Sequence, residues 1–422
     1  MLYTLCCDIS YTKRNSDYYI ASLSSMQYYR LIPPASIIVE GIIYNVSFSS
    51  ILKRLRYLGY NKTNQITQKI LEGLTLKKII KYDKNKVVEQ NTNFEKKNIE
   101  YIHEEKFFIN KAGLVLTGKC NFKCIHCYNE NYYKEQHSEM SIDKWKNVIN
   151  ELKDLGCMEI MITGGEPFLY PHIFEILSYL ESHNIMFSIL TNGTLLNERH
   201  IEALGQYKML RNVTVSLYGT KDETYKKITR GSYTVATVAK TVSKLKKNKV
   251  NVIAKYIFMK PNFEDAKTLD VFEETYDIII DKSYTHIYTT LSGDVKSQLT
   301  LSLENIKELH DIKCLKIIDG CNPTIQCGRE RCSINFNGDV AICEKLQSIT
   351  FGNVNKKSLV ELWKGKELED FLQLQDLCAL CVSCKRKKYC YRCNGLSYIE
   401  SGNINSRIPS MCEFAKSVVS WI

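Results

Sequence analysis

Three cysteines, Cys120, Cys124 and Cys127, stand in the stretch LTGKCNFKCIHCYNEN with C-x3-C-x2-C spacing. Thiols crowded in this way point to metal ligation or redox work. Zinc in a structural site takes four closed tetrahedral ligands, commonly as two C-x2-C knuckles. Here no fourth cysteine lies nearby, and His126 is adjacent to Cys127, which makes joint ligation of one ion awkward. A cubane iron–sulfur cluster has four irons; three take these thiolates and one stays open for an outside ligand. The spacing therefore predicts a catalytic cluster with a place kept for a cofactor.

Eleven of the 17 cysteines fall between residues 306 and 422. CNPTIQCGRERCSINFNGDVAIC supplies Cys321, Cys327 and Cys343, with Gly338 placed as G-x4-C. CALCVSCKRKKYCYRC supplies Cys381, Cys384, Cys390 and Cys393, and Cys412 closes the set. A segment this dense in thiols, with modest regular structure, needs metal to fold. Cys332 and Cys378 are surplus. Cys157, Cys6 and Cys7 read as ordinary core or surface thiols.

The elements that position the first thiols are legible as alternation. KAGLVLTGK, MEIMITGGE, MFSILTNGT, NVTVSLYGT and VNVIAKYIF are short apolar runs ending in small or polar residues. Helical patterns such as DKWKNVINELKDLG lie between them. Strands alternating with helices imply a parallel sheet, open or closed into a barrel, over about residues 106–305. Chemistry in such sheets gathers at the C-terminal strand ends, and each motif of this region falls there.

Residues 1–105 form a different region. DYYIASLSSMQYYRLI and SIIVEGIIYNVSF read as strands joined at Pro33-Pro34, whereas SSILKRLRYLGY and TQKILEGLTLKKII read as amphipathic helices. This is a small α+β domain with no catalytic constellation, ending in a polar linker. Residues 1–95 hold 13 Lys/Arg against 7 Asp/Glu, about half of the net charge of +11. The N-terminal stretch breaks up too soon for a signal peptide, and no apolar run approaches the roughly 20 residues of a membrane span. A cytoplasmic location and reduced thiols are expected.

CNFKCIHC resembles the signature of the radical S-adenosylmethionine (SAM) enzymes. In that family the open iron chelates the methionyl amine and carboxylate of SAM, which is cleaved reductively to a 5′-deoxyadenosyl radical. The resemblance continues at later strand ends. TGGEP resembles the motif that receives the SAM amino group, here Gly164, Gly165 and Glu166; TNGT and SLYG resemble the elements contacting ribose and the methionyl part, here Asn192 and Ser216. Arg230 falls where related enzymes carry a SAM-carboxylate arginine, and His126 where a residue lines the adenine. Singly, GGE and TNG read as tight turns and SLYG as a plain strand end; their order and spacing carry the resemblance. The C-terminal cysteines resemble the SPASM extension of the family, which implies two auxiliary four-iron clusters and three in all. By that analogy Cys321, Cys327, Cys343 and Cys393 hold the first, and Cys381, Cys384, Cys390 and Cys412 the second. The last spacing is C-x2-C where the common pattern has x3, so Cys390 and Cys393 are open to exchange. Zinc knuckles are the alternative. KRKKY, between Cys384 and Cys390, resembles a phosphate footprint but also suits a basic cover for an anionic cluster.

The implied fold is α/β: a partial (β/α)6 TIM-like barrel over 106–305, a winged-helix-like α+β domain over 1–105 and a cysteine-rich domain over 306–422. Enzymes with this extension largely modify peptides or proteins. The first region resembles the leader-binding element of ribosomal-peptide maturases such as the sactipeptide and ranthipeptide thioether synthases, where a leader adds as a strand beside a sheet. The implied function is radical modification of a precursor peptide, with a thioether from cysteine sulfur to carbon as the expected product. Carbon–carbon crosslinking and sulfatase-maturase-like oxidation are alternatives on the same scaffold; a metal-dependent DNA-binding regulator is the alternative from another class. Expected partners are a precursor peptide with its leader and an electron donor, flavodoxin or ferredoxin, with no nucleic acid and no membrane.

Overall fold

The computed structural model describes residues 3–6, 9–14, 16–22, 27–84, 108–127, 138–285, 298–317, 330–347, 349–373, 381, 384–390 and 393–421. Cys7, Cys321, Cys327 and Cys378 lie outside them. The chain separates into two compact units, Met1–Lys106 and Phe107–Ile422.

In the first unit β1 (Tyr3–Leu5) pairs antiparallel with β5 (Ile80–Tyr82), and β2 (Ile9–Arg14), β3 (Asp17–Ser22) and β4 (Gln27–Leu31) form an antiparallel sheet. Three helices, α1 (Ala35–Ile43), α2 (Phe48–Tyr57) and α3 (Thr63–Leu76), lie between β4 and β5 in the chain. Two strand expectations are corrected. The run from Asp17 to Ile32 is two strands of a hairpin, and SIIVEGIIYNVSF forms α1 and the start of α2. Every residue from Ser36 to Ile42 is buried, so α1 lacks the polar stripe that marks a surface helix. Its buried Glu40 is held by Arg54 of α2, at 2.6 Å, and by Lys13 of β2.

The second unit carries six parallel strands: β6 (Lys111–Val115), β7 (Glu159–Thr163), β8 (Met186–Thr191), β9 (Leu210–Leu217), β10 (Val252–Tyr256) and β11 (Ile280–Asp281). Helices α4 (Ile142–Asp154), α5 (Ile173–Ser182), α6 (Glu198–Leu204), α7 (Asp222–Thr229), α8 (Val235–Lys247) and α9 (Leu269–Tyr276) run between them. Side chains alternate along the strand: Val213, Val215 and Leu217 are buried, while Thr214 and Ser216 are half-buried. At the strand starts Glu159 is paired with Lys111 and Arg211, each at 2.5 Å, and this clamps β6, β7 and β9.

The sheet does not stop at β6. β12 (Arg331–Ile334) pairs parallel with β6, and β13 (Asp339–Ala341) and β14 (Thr350–Asn353) extend it antiparallel to nine strands. Among the described residues, no helix is long and apolar enough to cross a membrane.

Candidate functional site

The loop leaving β6 carries Cys120, Cys124 and Cys127, and three other strand exits hold it. From the β7 exit, the Gly165 and Glu166 amides donate to the carbonyls of Thr117 and Lys119, each at 2.8 Å. This approach admits only glycine at 165, since a Cβ there would lie 2.3 Å from the Lys119 carbonyl oxygen. From the β8 exit, Asn121, Asn192 and Thr194 close a ring. The Asn192 amide donates to Asn121 Oδ1 (2.8 Å), the Asn121 amide to Thr194 Oγ1 (2.8 Å), and that hydroxyl to Asn192 Oδ1 (2.7 Å). From beyond β9, the amides of Lys123 and Ile125 donate to the carbonyls of Thr229 and Ile228 at the end of α7, each at 3.0 Å. Asp265, 3% exposed, fixes the other end of that helix by accepting from Thr220 N, Lys221 N and Thr224 Oγ1.

Cys120 is exposed at the lip, whereas Cys124 and Cys127 are half-buried. Burial pushes the Cys120 thiol up to about 11, and charge on Glu166 and Cys127 adds to the rise. Cys124 is raised further by burial, then by Cys120 and Cys127, with Arg230 opposing. Thiols raised by burial and by one another's charge suit a cationic partner. Among the described residues no three His, Cys, Asp or Glu side chains are arranged to hold a single metal ion. A cuboidal cluster suits the set because each thiolate binds its own iron corner.

The residues singled out for a cofactor surround this loop. Glu166 is fully buried, and its carboxylate accepts from Thr191 Oγ1 (2.7 Å), Asn192 N (2.8 Å) and Phe168 N (3.2 Å). Burial raises its pKa to about 7 despite those donors. The carboxylate thus ties the β7 exit to the β8 exit. His126 lies against Tyr218, ring centres 4.8 Å apart, and its Nδ1 is buried without a hydrogen-bond partner among the described residues. Burial lowers its pKa to about 4, so the ring is neutral and retains hydrogen-bonding capacity for a ligand. Ser216 is half-buried and in register with Lys255, which pairs with Asp281 at 3.0 Å. Arg230 is exposed in a left-handed conformation (φ 52°) just past α7. Asn121, Asp265 and the Lys255–Asp281 pair were not singled out from the sequence, and Thr191 and Thr194 entered only as the ends of TNGT. Asn121, next to the first thiol, carried a positional hint; the others acquire partners only through the fold.

A family profile described as Radical SAM superfamily matches residues 114–274. That stretch, 161 of the 422 residues, is similar to the radical SAM core. A second, described as an iron–sulfur cluster-binding domain, matches residues 321–394. SAM and a four-iron cluster are therefore the cofactors of the radical SAM core, with auxiliary clusters in the C-terminal domain. The unpartnered His126 Nδ1, the three mutually repelling thiols and the glycine-only approach at 165 fit that cargo. The chain is 34% identical over 154 residues to the antilisterial bacteriocin subtilosin biosynthesis protein AlbA of Bacillus subtilis, covering 36% of this chain and 34% of AlbA. It thus spans about a third of that relative. It is 24% identical over 339 residues to an AdoMet-dependent heme synthase of Methanosarcina barkeri, covering 70% of this chain and 93% of that one. In fold it resembles Streptococcus suis SuiB, solved with its precursor peptide SuiA: TM-score 0.68 at 18% identity, over 98% of this chain and 100% of SuiB.

In the C-terminal domain no disulfide joins the described cysteines. Cys343 is buried just after β13, and Cys393 sits at the N-cap of α10 (Asn394–Ser401). A methyl group on Gly395 would lie 3.7 Å from Cys393 Sγ and 4.0 Å from Cys343 Sγ, so these two thiols flank one space. Cys384 N donates to the Cys381 carbonyl at 3.3 Å, and Cys412 lies exposed in the first turn of α11 (Pro409–Trp421). Cys332, fully buried on β12 opposite Ala112, is packed as a core side chain.

Proposed function

We propose that this radical SAM enzyme modifies a ribosomally made precursor peptide, joining a cysteine sulfur to carbon as a thioether. One observation carries the reading: a cluster-bearing core shares its chain with an N-terminal unit of antiparallel strands, basic helices and no cluster motif. Likeness to SuiB over 98% of the chain supports it in fold, and the partial match to AlbA supports it in sequence. A small-molecule substrate is the second reading, favoured by the long match to the heme synthase.

Cys120, Cys124 and Cys127 hold the core cluster in this proposal. Cys321, Cys327, Cys343 and Cys393 hold one auxiliary cluster; Cys381, Cys384, Cys390 and Cys412 hold the other. The shared space at Gly395 supports placing Cys393 with Cys343. When bound, these cofactors supply a carbon radical that removes hydrogen from the peptide and an acceptor for the electron left after the bond closes. The backbone of Gly164, Gly165 and Glu166 orients the SAM amine, and Arg230 its carboxylate. Ser216 and Asn192 border its methionyl and ribose parts, and His126 with Tyr218 closes over the base. An electron donor of the flavodoxin or ferredoxin type completes the cycle.

The test is reconstituted enzyme with the short precursor encoded beside it. A thioether gives peptide lighter by one hydrogen molecule per bond, with the donor cysteine blocked to alkylating reagents. The same mass loss with the cysteine still reactive indicates a carbon–carbon link or oxidation. No change in the peptide, with turnover of a porphyrin instead, overturns the proposal.

A further inference from the structure

Tyr225 sits in α7 with no exposed surface, and its phenol has no hydrogen-bond partner among the described residues. The ring is fixed by aromatic neighbours from the site. Phe122, between Cys120 and Cys124, meets it edge-on at 6.1 Å and 78°; Tyr218, which covers His126, lies at 6.1 Å and 45°. A buried hydroxyl left unpaired is costly, and native proteins seldom retain one without use. Glu166 already has its donors in Thr191, Asn192 and Phe168. Cys124, whose flanking residues Lys123 and Ile125 hang from the end of the helix that carries Tyr225, is left to accept.

We infer that Tyr225 donates a hydrogen bond to a sulfur of the core cluster on the side ligated by Cys124, and thereby raises that cluster's reduction potential. Donors to cluster sulfur stabilise the more negative, reduced state, so their loss makes reduction harder. α7 is suited to the task because its C-terminal carbonyls also hold the amides of Lys123 and Ile125. Loop and donor therefore move together. Tyr225 is a positioning and tuning residue in this scheme; it touches no reacting atom of the substrate.

The inference rests on the core cluster being held by Cys120, Cys124 and Cys127. The test uses the full-length reconstituted enzyme, with the Cys120/Cys124/Cys127→Ala variant identifying the core cluster's electron paramagnetic resonance signal. Tyr225→Phe should keep its iron and shift the core midpoint potential to more negative values in the absence of SAM. Tyr225→His, which retains a donor, should recover part of the potential shift and serves as the second variant if Phe impairs folding. An unchanged potential overturns the inference; if SAM affinity falls instead, the acceptor is on SAM. A core signal that survives loss of the three cysteines would overturn the underlying ligand assignment, separately from the role of Tyr225.

Discussion

Glu166 shows how one side chain serves both fold and site. Its two oxygens accept three protein donors, and it was legible in the sequence only as a SAM-binding carboxylate. Glu166→Gln turns an N–H group toward the Asn192 amide, and a buried donor without an acceptor costs about 1–3 kcal/mol. We expect a lower melting temperature together with roughly tenfold weaker SAM binding, since 1.4 kcal/mol corresponds to a factor of ten. Calorimetry of both properties decides: weaker binding at unchanged stability would make the carboxylate a ligand alone. The Asn121–Asn192–Thr194 ring makes a parallel case. Asn121→Ala and Thr194→Val should couple in SAM affinity by about 0.5–3 kcal/mol, because contacting polar partners are non-additive. Strict additivity in a double-mutant cycle would dissolve the ring. Asn121 lay inside the cysteine motif and Thr194 inside TNGT, but an asparagine and a threonine 73 positions apart become partners only when the β6 and β8 exits meet.

Strands and helices were legible in proportion to their periodicity and length. β6 to β10 were visible as apolar runs because each ends in the small or polar residues its exit loop needs. β11 was not, for two residues make no pattern, yet it supplies Asp281 to Lys255. α1 was read as a strand because a helix buried on all faces loses its stripe and its Ile/Val content mimics sheet. The ion cluster at the strand starts was equally hidden. Burial alone would raise the Glu159 pKa, but the Lys111 and Arg211 charges outweigh it and hold the group below the usual carboxylate range. Its stability contribution is therefore present above the unfolded pKa of about 4.5 and is lost as pH falls through the lower folded value. Glu159→Gln should cost about 2–3 kcal/mol at neutral pH, below the range for fully buried pairs because both cations are partly exposed. The melting-temperature gap to wild type should hold from about pH 6 to 8 and narrow below about pH 4.5. SAM cleavage at neutral pH should be unaffected.

The molecule as a whole combines three kinds of legibility. Thiol spacing marked the clusters, alternation marked the core, and charge marked the basic first unit, whose peptide role still rests on proposal. The full-length chain should bind the precursor's leader with affinity that falls as salt rises, since exposed charges are screened beyond about 8 Å at physiological ionic strength. Fluorescence titration at two salt concentrations checks this, and no binding at low salt would remove the recognition role. Reconstituted protein should carry about 12 irons, and Cys343→Ala with Cys393→Ala about 8, if each cluster holds four. The ladder between β12 and β6 has a consequence for anyone seeking a minimal enzyme. Residues 330–353 complete the sheet that begins at Lys111, so a chain cut after the barrel presents β6 as a raw edge of unpaired amides and carbonyls. The removed piece also takes away Phe336, whose ring packs against Gly118 at the root of the thiol loop. Such a fragment should aggregate through strand-to-strand pairing rather than persist as a weakened catalyst, which makes the cysteine-rich tail a folding partner of the core as much as a carrier of metal.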